Sequence, residues 1–133
     1  MMKGSYILLI KLKENKTIKV GKLGKLFFKK GFYVYIGSAM NNLDKRINRH
    51  ISKDKKFHWH IDYFLQNAEI LEAYFKENTI KEECKLANMF KEKLEEIPGF
   101  GCSDCKCTSH LFYWKKVDIQ DLFSKNGMIK YKI

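Results

Sequence analysis

Apolar residues run unbroken from Tyr6 to Ile10 inside GSYILLIKL (4–12), which predicts a buried strand. TIKV (17–20) and residues 26–28 flank the turn signal GKLG and predict a two-stranded ribbon. FYVYI (32–36), β-branched and aromatic, predicts another strand. After Gly37 the period changes, and Asn41 or Asn42 caps a helix that reaches about Ser52. FHWHIDYFLQNA (57–68) predicts a second helix and EILEAYFK (69–76) a strand. Residues 79–97 carry the longest helical pattern, with Asn78 or Thr79 as cap and Pro98-Gly99 as stop. A Gly/Cys loop, a strand near 110–117 and a short helical tail near 119–124 complete the chain. Strands come first, helices gather later, and one strand returns, which is the outline of an α+β fold.

The helical wheel separates packing residues from candidate chemistry. In the first helix Leu43, Ile47 and Ile51 share the core-facing stripe. Arg46 and His50, four apart, stack on the stripe beside it, so both belong at the edge of the sheet. Arg49 points further toward solvent, as a phosphate positioner or a solvated charge. In the preceding strand Tyr33, Tyr35 and Gly37 alternate on one face, and Gly37 leaves room for a backbone or a phosphate. In the long helix Ile80, Cys84, Leu86, Ala87, Phe90, Leu94 and Ile97 fill one arc, with Glu83 in its middle. A carboxylate there needs an arginine, a metal or both. A Glu83–Arg46 or Glu83–lysine pair that only packs the core is the plainer reading.

Charge narrows the partners. The 133 residues carry 26 Lys+Arg against 15 Asp+Glu, a formal net charge of +11, which favours a polyanion, nucleic acid first. Hydrophobic residues at 45% exclude a disordered chain, and the length predicts one domain, 1–133. The five-residue apolar run at the N-terminus is too short for a signal-peptide core or a membrane span, so a soluble, cytoplasmic protein is expected.

KGSYILLI, YVYIGSA, RINRH, HWHIDYFL, ECKLA and GFGCSDCKCTSHLFYW, in that order, resemble the GIY-YIG nuclease superfamily, in its Uri-type branch of small archaeal and bacterial endonucleases. The first motif stands as Gly4-Ser5-Tyr6 and the second as Tyr35-Ile36-Gly37. The resemblance implies a small, mainly antiparallel sheet flanked by helices and a metal-dependent DNA endonuclease of repair or recombination. Carried over by position, Tyr6, Tyr35, Arg46, His50 and Glu83 are the expected catalytic residues. Glu83 would hold one divalent cation, Mg2+ or Mn2+, and Arg46 would neutralise charge on the phosphate. Tyr6 would orient or deprotonate the attacking water, Tyr35 would hold a neighbouring oxygen, and His50 would share the proton transfer or hold the Tyr6 hydroxyl. Gly37, Ser38 and Arg49 are expected to contact nucleic acid.

Three stretches depart from that pattern or add to it. The gap between the two motifs is long and carries a basic ribbon over about 13–30; its lysines, Lys22 and Lys25 among them, form a phosphate-contacting arm or a solubilising hairpin. An asparagine after the glutamate helix is missing, with Asp104 its only counterpart. In FHWHIDYF, His58, Trp59, His60 and Tyr63 can stack on bases, and His58 or His60 can support the site, whereas Phe57, Ile61 and Phe64 are expected in the core. The Cys-rich loop, 99–110, places Cys102, Cys105, Cys107 and His110 within nine residues. That spacing is tight for tetrahedral wrapping, so a structural Zn2+ is the less favoured reading beside buried thiols. The readings in competition are a metal-dependent endonuclease, a catalytically inactive nucleic-acid-binding module of the same fold, and a zinc-stapled interaction domain.

Overall fold

The computed structural model describes residues 3–77, 83–101, 109–114, 123–124 and 127–132, with only the backbone at Glu83. The architecture is α+β: among the described residues, a six-stranded antiparallel sheet, a separate two-stranded ribbon and three numbered helices. The sheet strands are β1 (Gly4–Leu12), β4 (Gly31–Ala39), β5 (Glu69–Glu77), β6 (Glu95–Glu96), β7 (Leu111–Trp114) and β8 (Ile129–Tyr131). Their spatial order is β6-β7-β4-β1-β5-β8, so the two motif strands lie side by side at the centre. The ribbon is β2 (Lys16–Lys19) and β3 (Lys25–Phe28), joined by a 3-10 turn at Gly21–Leu23. The helices are α1 (Leu43–Ile51), α2 (His60–Leu65) and α3 (Glu83–Lys91).

The alternation of strand residues divides the interior in two. Tyr6, Leu8, Ile10, Leu12, Tyr33 and Tyr35 face α1, α2 and the ribbon, and pack with Leu43, Ile47, Phe64, Phe28 and Phe100. Ile7, Leu9, Val34 and Ile36 face the other way and pack with Leu86, Ala87 and Phe90 of α3. The ribbon joins the first core through Ile18, Val20 and Phe28, while Lys22 and Lys25 stay exposed.

Gly4 and Gly37 are fixed by close approach. A Cβ at Gly4 would sit 2.1 Å from the Lys76 carbonyl oxygen and 2.9 Å from Leu43. A Cβ at Gly37 would sit 2.4 Å from the Tyr6 ring, its cross-strand partner. The space that a side chain at Gly37 would need is taken by the Tyr6 ring.

Several boundaries differ from the sequence expectation. The helix expected over 79–97 ends at Lys91, and Glu95–Glu96 pair with Phe112 and Tyr113 as an edge strand. The apolar pattern ran on because Leu94 packs in the second core while Ile97 packs against the first. Its cap, Asn78 or Thr79, lies outside the described residues. The helix expected from Phe57 begins at His60, because Trp59 is extended at its N-cap, where the Asp62 carboxylate reaches back to accept the Trp59 amide at 2.9 Å. β8, which pairs with β5, was not anticipated: three residues are too few for a periodic signal. Asn42 caps α1 as expected, its side chain accepting from the Lys45 amide at 3.1 Å.

Candidate active site

The central strands end at a cleft. Its described lining includes Tyr6, Tyr35, Gly37, Ser38, Arg46, His58, Trp59 and His60, with Gly101 and His110 on the far side. The cavity volume is about 110 Å³, well below that of organic-cofactor pockets, so a small group such as a phosphate suits it better.

At the floor, the Tyr6 hydroxyl and His50 Nε2 lie 2.6 Å apart, and both side chains are buried. Tyr35 is buried beside them, its ring centre 6.0 Å from that of His50. Burial, reinforced by the Lys55 cation, lowers His50 from its ordinary value to about 3, against an opposing pull from Asp62. His50 is thus neutral at pH 7 and its Nε2 can accept the Tyr6 hydroxyl proton. His50 Nδ1 is buried without a hydrogen-bond partner among the described residues. An orphaned group of that kind costs about 1–3 kcal/mol.

Arg46, one turn before His50, lies on the cleft wall. Its Nη1 donates to the Ser38 carbonyl at 2.9 Å, and its guanidinium carbon lies 4.4 Å from the centre of the Trp59 ring. Among the described residues no carboxylate pairs with it, and most of its five donors are left for an anion. His60 Nδ1 accepts the Gly101 amide at 2.8 Å, so its neutral ring carries the proton on Nε2. Burial lowers His60 as well.

Arg49 has a different task from the one expected. It is half-buried and is not among the described cleft-lining residues; it forms a two-pronged ion pair with Asp62, at 2.9 and 3.0 Å. It also donates to the Lys56 carbonyl and lies 4.4 Å from the centre of the Trp59 ring. Asp62, fully buried, also accepts the amides of His58 and Trp59 at 2.7 and 2.9 Å. Burial alone would raise its pKa; the Arg49 and amide hydrogen bonds outweigh that and hold it below the usual value. Sequence reasoning missed Asp62. Its signal was the position three residues after Trp59, the N3 place of a capping box. It also missed Lys55, whose Nζ binds the carbonyls of Arg49 and His50 at the end of α1.

The remaining expected residues divide. Ser38 lines the cleft, and its carbonyl holds Arg46. Lys22 and Lys25 are not among the lining residues. Phe57, expected in the core, is 44% exposed. Glu83 is the first described residue of α3, and its side chain lies outside the described residues, as do Cys102, Asp104, Cys105 and Cys107. The next residue, Cys84, has its Sγ 3.9 Å from His110 Nε2, and His110 lines the cleft, so the described part of α3 reaches the cleft edge.

Among the described residues no cluster of His, Cys, Asp or Glu could hold a metal ion, and none of those lining the cleft is a carboxylate. A hard divalent cation needs oxygen ligands. The described lining therefore fits an anion; Glu83, the expected cation ligand, has its side chain outside the described residues.

A sheet carrying a Tyr–His pair and an arginine at one end defines a small α+β protein with an anion-receptive cleft. The chain belongs to the family described as domain of unknown function DUF123, whose model matches residues 5–130. No curated protein and no solved structure matches it. Among the described residues, no helix is long and apolar enough to cross a membrane.

Proposed function

We propose that this protein is a metal-dependent endonuclease of the GIY-YIG type, hydrolysing phosphodiester bonds in DNA. The observation that carries this reading is the buried Tyr6–His50 hydrogen bond set beside Arg46 in one cleft. Hydrolysis needs an aligned water and neutralisation of charge building on the phosphate. With its proton directed to His50, the Tyr6 oxygen turns its lone pairs toward the cleft and would orient the attacking water by accepting a hydrogen bond from it. The low His50 value makes an imidazolium costly, which favours holding the Tyr6 hydroxyl over storing a proton. Arg46, fixed by Ser38 and Trp59, supplies donors to the non-bridging oxygens, and His60 Nε2–H adds another. Tyr35 closes the floor.

A divalent cation held by Glu83, Mg2+ or Mn2+, would when bound polarise the scissile phosphate and ease departure of the leaving oxygen. The net charge of +11 supports a nucleic-acid partner.

The test is cleavage of labelled duplex, single-stranded and branched DNA with Mg2+ or Mn2+, alongside Glu83→Gln and a chelator control. The expected result is cutting by the parent that disappears in both controls, with Glu83→Gln still folded. Glu83→Gln cutting as well as the parent would contradict the metal assignment. Tight binding with no cutting of any substrate would favour the inactive binding module.

A further inference from the structure

We propose that the segment 56–59, with Tyr63, is a base-stacking rim that makes single-stranded DNA the substrate of the cleft. The proposal rests on the phosphodiester reading of that cleft and names its substrate class.

The rim begins with an anomaly. Phe57 lies in an otherwise polar stretch, KDKKFH, and exposes 44% of its surface rather than joining the adjacent core. Its ring is braced edge-on by Tyr63, with centres 4.8 Å apart at 67°. His58, also exposed and lining the cleft, is braced by Trp59 at 4.9 Å and 72°. Neither pair is a closed parallel stack.

The segment is held firmly. The amides of His58 and Trp59 both donate to the buried Asp62 carboxylate, and Arg49 holds the Lys56 carbonyl. Exposed rings on a pinned backbone lose little conformational freedom when a ligand covers them.

Charge and position choose the occupant. Lys56 is exposed beside Phe57. Tyr63 lies against Gly21 of the ribbon's turn, where a Cβ would come within 3.3 Å of the ring, and exposed Lys22 follows. An aromatic track bordered by lysines thus runs from Arg46 in the cleft past His58 and Phe57 to the ribbon. A strand with its phosphate in the cleft brings adjacent bases over these rings. Bases in a duplex are stacked on each other and have no free face to offer. Aromatic platforms beside a basic groove are the means by which single strands are held without sequence preference.

The experiment uses the full chain with a chelator present, so that binding is read without cleavage. Fluorescence anisotropy compares a labelled oligothymidylate, an abasic strand of equal length and a duplex, for the parent and Phe57→Ala. The parent is expected to bind the thymidylate at least about fivefold more tightly than the abasic strand, the effect of one stacked base. Phe57→Ala should lose that margin and keep the abasic affinity. Its exposed site lets it fold, which circular dichroism checks. Equal binding of thymidylate and abasic strands by the parent, tighter binding of the duplex, or an undiminished margin in Phe57→Ala would overturn the rim while leaving the cleft reading intact. Failure to bind any of the three would overturn both.

Discussion

The two faces of the sheet are built from alternate residues of the same strands, yet they differ in kind. The face under α3 carries Ile7, Leu9, Val34 and Ile36 against Leu86, Ala87 and Phe90, largely apolar, with the Tyr74 hydroxyl turned out to Glu72. The face under α1 and α2 carries Tyr6, Tyr33 and Tyr35, and beside them lie buried His50 and Asp62. Buried polar groups need partners. Tyr6 has His50, Tyr33 donates to the Lys29 carbonyl at 2.6 Å, and Asp62 has Arg49 with two amides. Only His50 Nδ1 is left over among the described residues. The centre of the first face is therefore mainly a packing surface, while the other holds hydroxyls, imidazoles and guanidiniums in fixed places. The contrast teaches that a period of two in a central strand can separate packing from chemistry within a single β-sheet.

The largest test of that division is activity. Phe90→Ala, on the apolar face, should cost about 3–5 kcal/mol of stability, read by thermal unfolding, and leave the cleavage rate per folded molecule unchanged. A rate loss after correction for the folded fraction would break the division.

Asp62→Ala should also cost about 3–5 kcal/mol, because it strands the half-buried Arg49 and two amides. Unlike Phe90→Ala it should slow cleavage too, since the wall formed by His58 and Trp59 and the stack under Arg46 depend on it. Unfolding and single-turnover rates measured on both variants sharpen the comparison. Gly37→Ala, whose new methyl meets the Tyr6 ring, should cost about 1–3 kcal/mol.

The remaining test needs no substitution on the apolar face: it is the pH dependence of stability. His50 falls from its ordinary value to about 3 on folding, so between about pH 6.5 and 3 the unfolded chain binds the proton and the folded one does not. Stability is fully present above the ordinary value and declines as pH falls, by up to about 1.4 kcal/mol per pH unit from this group. Asp62, held below its ordinary value, adds loss at lower pH still. Denaturant titrations from pH 7 to 4 should show a shallower slope in His50→Gln than in the parent.

Much of this was legible in the sequence, because periodicity places side chains on faces. The alternation of Tyr33, Tyr35 and Gly37 places them on one face of their strand, which the structure has at the centre of the sheet. The four-residue step places Arg46 and His50 at the sheet edge, and Arg46 does line the cleft, whereas His50 is buried against Tyr6. Long-range pairings were not legible. Nothing local says that Gly37 clears space for Tyr6, that Arg49 turns to Asp62, or that Phe57 faces water. The helix end at Lys91 was hidden because Leu94 and Ile97 continue an apolar period while packing in different cores. β8 was hidden because an edge strand of three residues takes its structure from β5.

The central claim is that Arg46 acts on a phosphate in the cleft while Arg49, three residues on, is structural. The direct measurement is the single-turnover rate of cleavage of labelled DNA with Mg2+ by the parent and Arg46→Ala, with binding measured in parallel. The account predicts a loss of about 10²–10³ in rate with only a modest loss of affinity. An Arg46→Ala protein that cuts at the parental rate would contradict it.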